Sequence, residues 1–263
     1  MIRLSGPIRF RAGGFAPRDR AWAAAATLLG TIAVWQGAAS LGLIPTLFLS
    51  PPIAIARAIW TLAVSGELWS HLSASLVRLA VGWTLGTVFG IAVGVAVGLW
   101  SAFRSPGMAL VSALFPIPKI ALVPLFIVWF GIGEGSKIAT LAFGVFFPTV
   151  IATTGGIDGV PRSLIRMAQS FSLSHAAIVR KVVLPAALPA ILNAFRVTTS
   201  IAVVLLVAAE MIGAERGIGA FVLSAGNLYD TDNLLAGIVV LAMLGLAISW
   251  VIGWLEKLLL RWR

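Results

Sequence analysis

The 263-residue chain has no cysteine, only two histidines, and only nine acidic residues. Without cysteine there can be no disulfide, no thiol nucleophile and no iron–sulfur ligation. His71 and His175 lie far apart in the sequence and lack clustered carboxylates, so neither has the pattern of a metal ligand. Charge is scarce: 11% of residues are charged, against about a quarter in soluble domains. The apolar share is 60% and the mean hydropathy +1.03. No aqueous fold of this length can bury that much apolar surface. The apolar runs are long and continuous rather than alternating ten-residue segments, which excludes a β-barrel. The fold class is therefore an all-α polytopic membrane protein.

Several chemistries are also missing. The sequence has no G-x4-G-K-[ST] phosphate loop, no H-E-x-x-H, no nucleophile elbow and no pair of carboxylates at helical spacing. Gly131–Lys137 is glycine-rich but lacks the Lys-Ser/Thr pair, and reads as a tight turn between spans. These absences leave no basis for an enzyme. The net charge of +10 is read as topology signal and lipid-headgroup contact, not as a nucleic-acid footprint.

The apolar periodicity predicts six spans: Trp22–Ile44, Ser75–Trp100, Met108–Phe130, Ser136–Thr154, Ala190–Ile212 and Leu234–Leu255. The first run is too long for a signal-peptide core of about 7–15 residues, and is expected to be a retained span. Pro51–Leu68 reads as an amphipathic helix at the outer interface. Prolines 116, 118 and 124 break the third span, and a Gly- and Asp-bearing loop separates the last two.

Six spans put both termini on one side. Placing Met1–Arg20, Ser101–Ser105, the Asp158–Pro189 insertion and the tail after Leu255 inside gathers 13 of the 19 Lys and Arg there. Glu67, Glu134, Glu210, Glu215, Asp230 and Asp232 fall on or near the outside. Both termini and the basic insertion are thus expected in the cytoplasm. The domain plan is a basic cytoplasmic segment over 1–21, one six-span transmembrane domain over 22–258 containing the 158–189 loop, and a cytoplasmic tail over 259–263.

The insertion reads as two short helices. Pro161 suits the first turn of one. Leu164, Ala168 and Phe171 are expected on one face, with Arg162, Arg166 and Gln169 elsewhere. A turn near Ser172 and Leu173 leads to a second helix from about His175, with Ser174 as N-cap and Pro185 as its stop. An exposed knob of apolar and arginine side chains has the composition of an interface anchor.

The spacing of that loop resembles the cytoplasmic E-A-A-x3-G-x9-I-x-L-P loop of ATP-binding-cassette importer permeases. Arg166-Met167-Ala168 stands at E-A-A, Ser172 at the glycine, Val182 at the isoleucine and Leu184-Pro185 at the closing pair. The glutamate and glycine are replaced here, so the turn is expected to be reshaped or to end in a cap, and the docking charge to be inverted. Pro116-Ile117-Pro118, Leu122-Val123-Pro124-Leu125, Trp129 through Lys137, Gly66 through Trp69, Ala209 through Ile212 and Thr231-Asp232 are similar to the nitrate/sulfonate/taurine branch. The resemblance covers about Pro45 to Leu258. It implies a permease of the bacterial inner membrane, working as a pair of copies with two cytoplasmic ATPase subunits and an extracytoplasmic binding protein. ATP and Mg would be bound by the ATPase and no cofactor by this chain. The substrate would be a small anion: sulfonate, taurine, nitrate or a related organic acid. A secondary transporter, or a channel or scaffold not driven by ATP, is the alternative.

Residues inside spans are candidates for the path. Lys119, beside Pro118 in the broken span, either offers positive potential to an anion or reaches the cytoplasmic interface. Arg78 and Arg196 are expected to snorkel from span ends. Glu210 either pairs with Arg216 or holds the outer gate through helix contacts. Thr199 offers a polar group on the fifth span. Gly82, Gly86, Gly90, Gly94 and Gly98 recur every fourth residue, a stripe that packs a helix within the subunit or forms a seam between copies.

Overall fold

The computed structural model describes residues 21–260, which are helical throughout apart from turns. The expected segment Met1–Arg20 and the last three residues of the tail lie outside the described residues. Eleven α-helices follow in order: α1 Ala21–Ser40, α2 Pro52–Ser65, α3 Glu67–Leu99, α4 Ser101–Leu114, α5 Val123–Phe130, α6 Glu134–Asp158, α7 Arg162–Ser170, α8 His175–Ile178, α9 Leu184–Met211, α10 Ile218–Asn227 and α11 Thr231–Leu259.

Four helices are long and apolar enough to cross a membrane: α3, α6, the continuous α8–α9 run and α11. The pair α4 and Lys119–Phe130, bent by 89°, makes a fifth if it is one span. The kink falls at Pro116–Pro118, where proline removes backbone donors and forbids a straight continuation. This broken span begins at Ser101, not Met108. The expected Ser101–Ser105 turn is the first turn of α4, and the chain reverses at Trp100 alone. α1 has 20 residues, enough to span by length, but is not among these helices, and it packs chiefly against α2.

The core is α3, α6 and α9. The stripe Gly82, Gly86, Gly90, Gly94 and Gly98 runs down the α3–α6 contact. A β-carbon at Gly82, Gly90, Gly94 or Gly98 would lie 2.6–2.8 Å from Leu141, Thr149, Thr153 or Ile157. At Gly86 it would meet the Ala142 backbone. The stripe therefore sets how closely the two helix axes approach, and it is spent within the subunit. Leu79, Leu141, Val145, Ala202, Leu205 and Leu206 fill the space between the three helices.

Three elements differ from the sequence reading. The Gly- and Asp-bearing loop contains α10, whose Ile218 and Ala225 are buried, in contact with α9 and α11. α3 starts eight residues earlier than expected because the break falls at Gly66, in the left-handed region (φ 84°). Pro185 does not stop a helix: α8 passes through a π-helical turn, Val179–Val183, directly into α9. The wider turn takes up the proline, whose ring then sits in the first turn of α9, where a missing N–H costs little. The basic insertion consequently shrinks to α7, its turn and α8.

Candidate functional site

One end of the bundle carries α7. Ala168 is buried against Ile157, Val160, Ile178 and Val183, with Ile165 packed beside them. The buried stripe is thus Ile165–Ala168, and the expected shared face of Leu164, Ala168 and Phe171 splits. Leu164, Met167, Phe171 and Leu173 face outward instead, with Phe171 74% exposed. Arg162 and Arg166 are exposed as well, so the knob shows an apolar patch beside two guanidinium groups. Leu184 is half-buried and Pro185 exposed at the start of α9.

The turn after α7 resolves the glycine replacement. Leu173 N–H donates to Ala168 O (3.2 Å) and Ser172 N–H to Gln169 O (2.8 Å), the paired bonds that close a helix through a left-handed residue. Ser172 is that residue, at φ 55°. Ser174 caps the next helix, its hydroxyl accepting from Ala177 N–H (3.3 Å). Ser172 takes the left-handed conformation itself and carries its strain. Ser172→Gly is expected to stabilise it by ~0.5–1 kcal/mol, the left-handed cost of about 1–2 kcal/mol less glycine's extra backbone entropy. Slower amide hydrogen exchange over Gln169–Leu173 would register the gain. Nearby, Arg104 Nη1 and Nη2 donate to the two Asp158 oxygens at 2.8 and 2.7 Å, tying α4 to the end of α6.

The opposite end holds a buried ion cluster. Arg78, on α3, is 5% exposed in its side chain, and Glu210, on α9, is fully buried. Arg78 Nη1 donates to Glu210 Oε1 (2.7 Å) and to the Arg216 carbonyl (2.6 Å). Arg78 Nε and Nη2 clasp the two oxygens of Glu134, at the start of α6, at 2.6 and 2.7 Å. Ser75 Oγ donates to Glu210 (2.8 Å to Oε1), and Gly219 N–H donates to its Oε2 (2.8 Å). Ile218 N–H donates to Ser75 Oγ (2.9 Å), and Gly217 N–H to His71 Nδ1 (3.1 Å). Every carboxylate oxygen of the buried pair is matched by a donor, the condition for holding charge away from water. Gly217 (φ 137°) closes this loop. A β-carbon there would be strained and would lie 2.7 Å from Arg78 Nη1.

Two expectations change here. Arg78 does not snorkel: it joins α3, α6, α9 and the α9–α10 loop. Glu210 pairs with Arg78, and only the carbonyl of Arg216 reaches the cluster. Composition and periodicity did not place Arg78, Ser75 and His71 in the interior, yet the signal was present. His71, Ser75, Arg78 and Gly82 are spaced four, three and four residues apart, so they extend the glycine stripe along the buried face of α3.

The remaining candidates do not converge. Lys119 opens a 3-10 turn just past the kink and is half-buried. Its ammonium donates to the Phe115 carbonyl and sits 4.6 Å from the centre of the Phe115 ring. Pro118 is exposed beside it. Thr199 lines an apolar groove between α3, α9 and α11. Arg196 remains half-exposed and pairs with Glu256 of α11 at 2.9 Å. Among the described residues no cluster of three or more histidines or carboxylates is placed to hold a metal.

The described residues thus form an all-helical bundle with a basic, apolar-faced knob at one end and an internal ion cluster at the other. Comparison with known proteins gives the family. Residues 86–262 match the binding-protein-dependent transport system inner membrane components. The taurine transport system permease protein TauC of Escherichia coli is 38% identical over 241 residues, covering 90% of this chain and 88% of its own length. The putative aliphatic sulfonates transport permease protein SsuC of Escherichia coli is 39% identical, with 89% of each chain covered. Among solved structures, a chain of the inward-facing MetNI methionine ABC transporter superposes with a TM-score of 0.62 at 23% identity, covering 78% of this chain and 95% of that one. That likeness carries the fold, and the closer relatives carry the family. The chain belongs to the binding-protein-dependent transport system inner membrane components, the multi-pass inner-membrane permease subunits of ABC importers, and it is not an enzyme.

Proposed function

We propose that two copies of this permease enclose one path for a small organic anion of the sulfonate class, taurine included. Two cytoplasmic ATPase subunits, which bind ATP and Mg, drive the path, and an extracytoplasmic binding protein feeds it. The names of the similar permeases support the substrate class. In this reading α1 is the sixth span and both termini are cytoplasmic. The charge pattern favours that side for the knob: Arg104, Arg162, Arg166, Arg180 and Lys181 gather at the α7 end, while Glu67, Glu134 and Glu215 gather at the other.

The observation that carries the reading is the outward apolar face of α7. Leu164, Met167 and Phe171 stand in the open on a knob anchored by Ala168, the arrangement of an interface core flanked by Arg162 and Arg166. The π-helical turn continues α8 into α9 without a joint. A push on the knob is therefore delivered to a helix that runs the full depth of the bundle and ends at Glu210.

The test is uptake of radiolabelled taurine into proteoliposomes holding permease, ATPase and binding protein. Wild-type protein is expected to accumulate taurine only with ATP inside. Phe171→Asp, which puts a charge in the patch without touching the buried stripe, is expected to lower ATPase copurification and uptake about 10–100-fold, the effect of losing an anchor worth about 1.4–2.7 kcal/mol. Normal copurification and uptake by Phe171→Asp would remove the knob from the ATPase interface.

A further inference from the structure

The ion cluster is open on one side. Ser70, Ser73, Val77, Ile132, Gly213 and Glu215 border a cleft of about 940 Å³ whose polar floor is Arg78, Glu134 and Lys137. The two carboxylates on Arg78 are not equivalent. Glu210 is sealed, with Ser75 and Gly219 holding it in place. Glu134 is 61% exposed in its side chain and, among the described residues, is hydrogen-bonded through the Arg78 fork alone. Lys137 sits three residues on, one turn along α6, and is 5% exposed. Its ammonium donates to the Gly133 carbonyl (3.0 Å), one use of its three N–H bonds.

We infer that the Nε/Nη2 fork of Arg78 is an anion-binding site at the outer mouth, occupied by Glu134 at rest and by the sulfonate group of an arriving substrate. Two sulfonate oxygens replace the two carboxylate oxygens side-on, the geometry a guanidinium fork selects. Glu134 then swings to Lys137, which is within reach at i+3 on the same helix. Every charge stays paired through the exchange: Glu210 keeps Nη1, the anion takes the fork, and Glu134 takes the ammonium. Because Glu134 is the first residue of α6 and Arg78 belongs to α3, the exchange also releases the α3–α6 contact at this end. The α3–α9 contact through Glu210 is left in place. No bond is made or broken covalently and no proton moves.

This inference rests on the sulfonate reading, and its test separates the two. Ethanesulfonate is titrated into the purified permease–ATPase complex in nanodiscs, with ethylammonium as the cationic control, for wild type, Glu134→Gln and Glu134→Asp. Both variants weaken the hold of residue 134 on the fork, the first by losing charge and the second by losing reach, and both leave the Glu210 side of Arg78 in place. Each is expected to bind ethanesulfonate about tenfold more tightly than wild type, a difference of about 1.4 kcal/mol. Ethylammonium is expected to bind none of the three. Equal affinity in all three proteins, or a Glu134→Asp variant that matches wild type, would overturn the exchange, since the second result would show only a through-space charge effect. The sulfonate reading is scored by taurine uptake with wild-type protein. Uptake with unchanged affinities in the variants sinks the site alone. Tighter ethanesulfonate binding by both variants without taurine uptake sinks the substrate alone.

Discussion

Arg78→Leu is expected to be the most damaging single substitution in the described chain, at about 3–5 kcal/mol, the range for stranding one member of a buried ion pair. Glu210 would keep Ser75 and the Gly219 N–H as donors but lose its countercharge, in a site with no exposure to water. Three helices and the α9–α10 loop would lose their common tie at once, because the same guanidinium serves Glu134, Glu210 and the Arg216 carbonyl. Most of this cost belongs to the uncompensated charge rather than to lost contacts. Pairing Arg78→Leu with Glu210→Gln removes that charge and keeps an amide oxygen for the Gly219 N–H. The double variant is therefore expected to regain about half of the loss or more, a coupling of the size found between residues in one polar network. Thermal unfolding midpoints in detergent for the two single variants and the double give the cycle directly. A single variant as stable as wild type, or a double variant worse than the sum of the two, would show that the pair does not hold this end of the bundle together.

The broad architecture was legible because the apolar runs are long and nearly free of charge. Burial of such runs admits few alternatives, and α3, α6, α9 and α11 lie close to where hydropathy put them. The failures share a cause: a local signal was read without its neighbours. Pro185 is a helix stop by propensity, yet a π-helical turn just before it gives the ring room. α10 is ten residues with four polar or glycine interruptions, too short to register as a span, and it forms because α9 and α11 bury its Ile218 face. On α7, helical spacing alone allowed Ala168 to be grouped with Leu164 or with Ile165. Only the packing of Ile157, Val160 and Ile178 decides for Ile165. Arg78 was the largest miss. An arginine near a span end snorkels when its face meets lipid, but this one shares its face with Gly82 and Gly86, which press against α6. A charged residue in register with a glycine stripe is committed to the protein interior, and its partners then have to come from the helices that the stripe packs.

The stripe itself gives the second large effect. Gly90 lies where a β-carbon would stand 2.7 Å from Thr149 Cβ and 2.9 Å from the Phe146 carbonyl. Neither atom is the far end of a flexible side chain, so relief has to come from moving α3 away from α6. Thr149 is fully buried, and its hydroxyl is bound to the Val145 carbonyl at 2.8 Å, which fixes the obstacle. Gly90→Leu is expected to cost at least the ~1–3 kcal/mol typical of overpacking, because the displaced contact runs the length of both helices. Gly155→Ala is the internal control: it is a helical glycine of the facing helix α6, with nothing within 4 Å of its β-carbon position. It is expected to be neutral or slightly stabilising, since alanine is the better helix former by about 1 kcal/mol. Adding Thr149→Gly to Gly90→Ala removes the obstructing β-carbon from the facing helix. The double variant is expected to keep the α3–α6 spacing that Gly90→Ala alone would widen. If the stripe were instead a seam between copies, Gly90→Leu would change the oligomer measured by native mass spectrometry while leaving the unfolding midpoint of the subunit intact. The close approach of Thr149 and Phe146 within one chain predicts the opposite outcome: a loss of subunit stability that appears whether or not the copies associate.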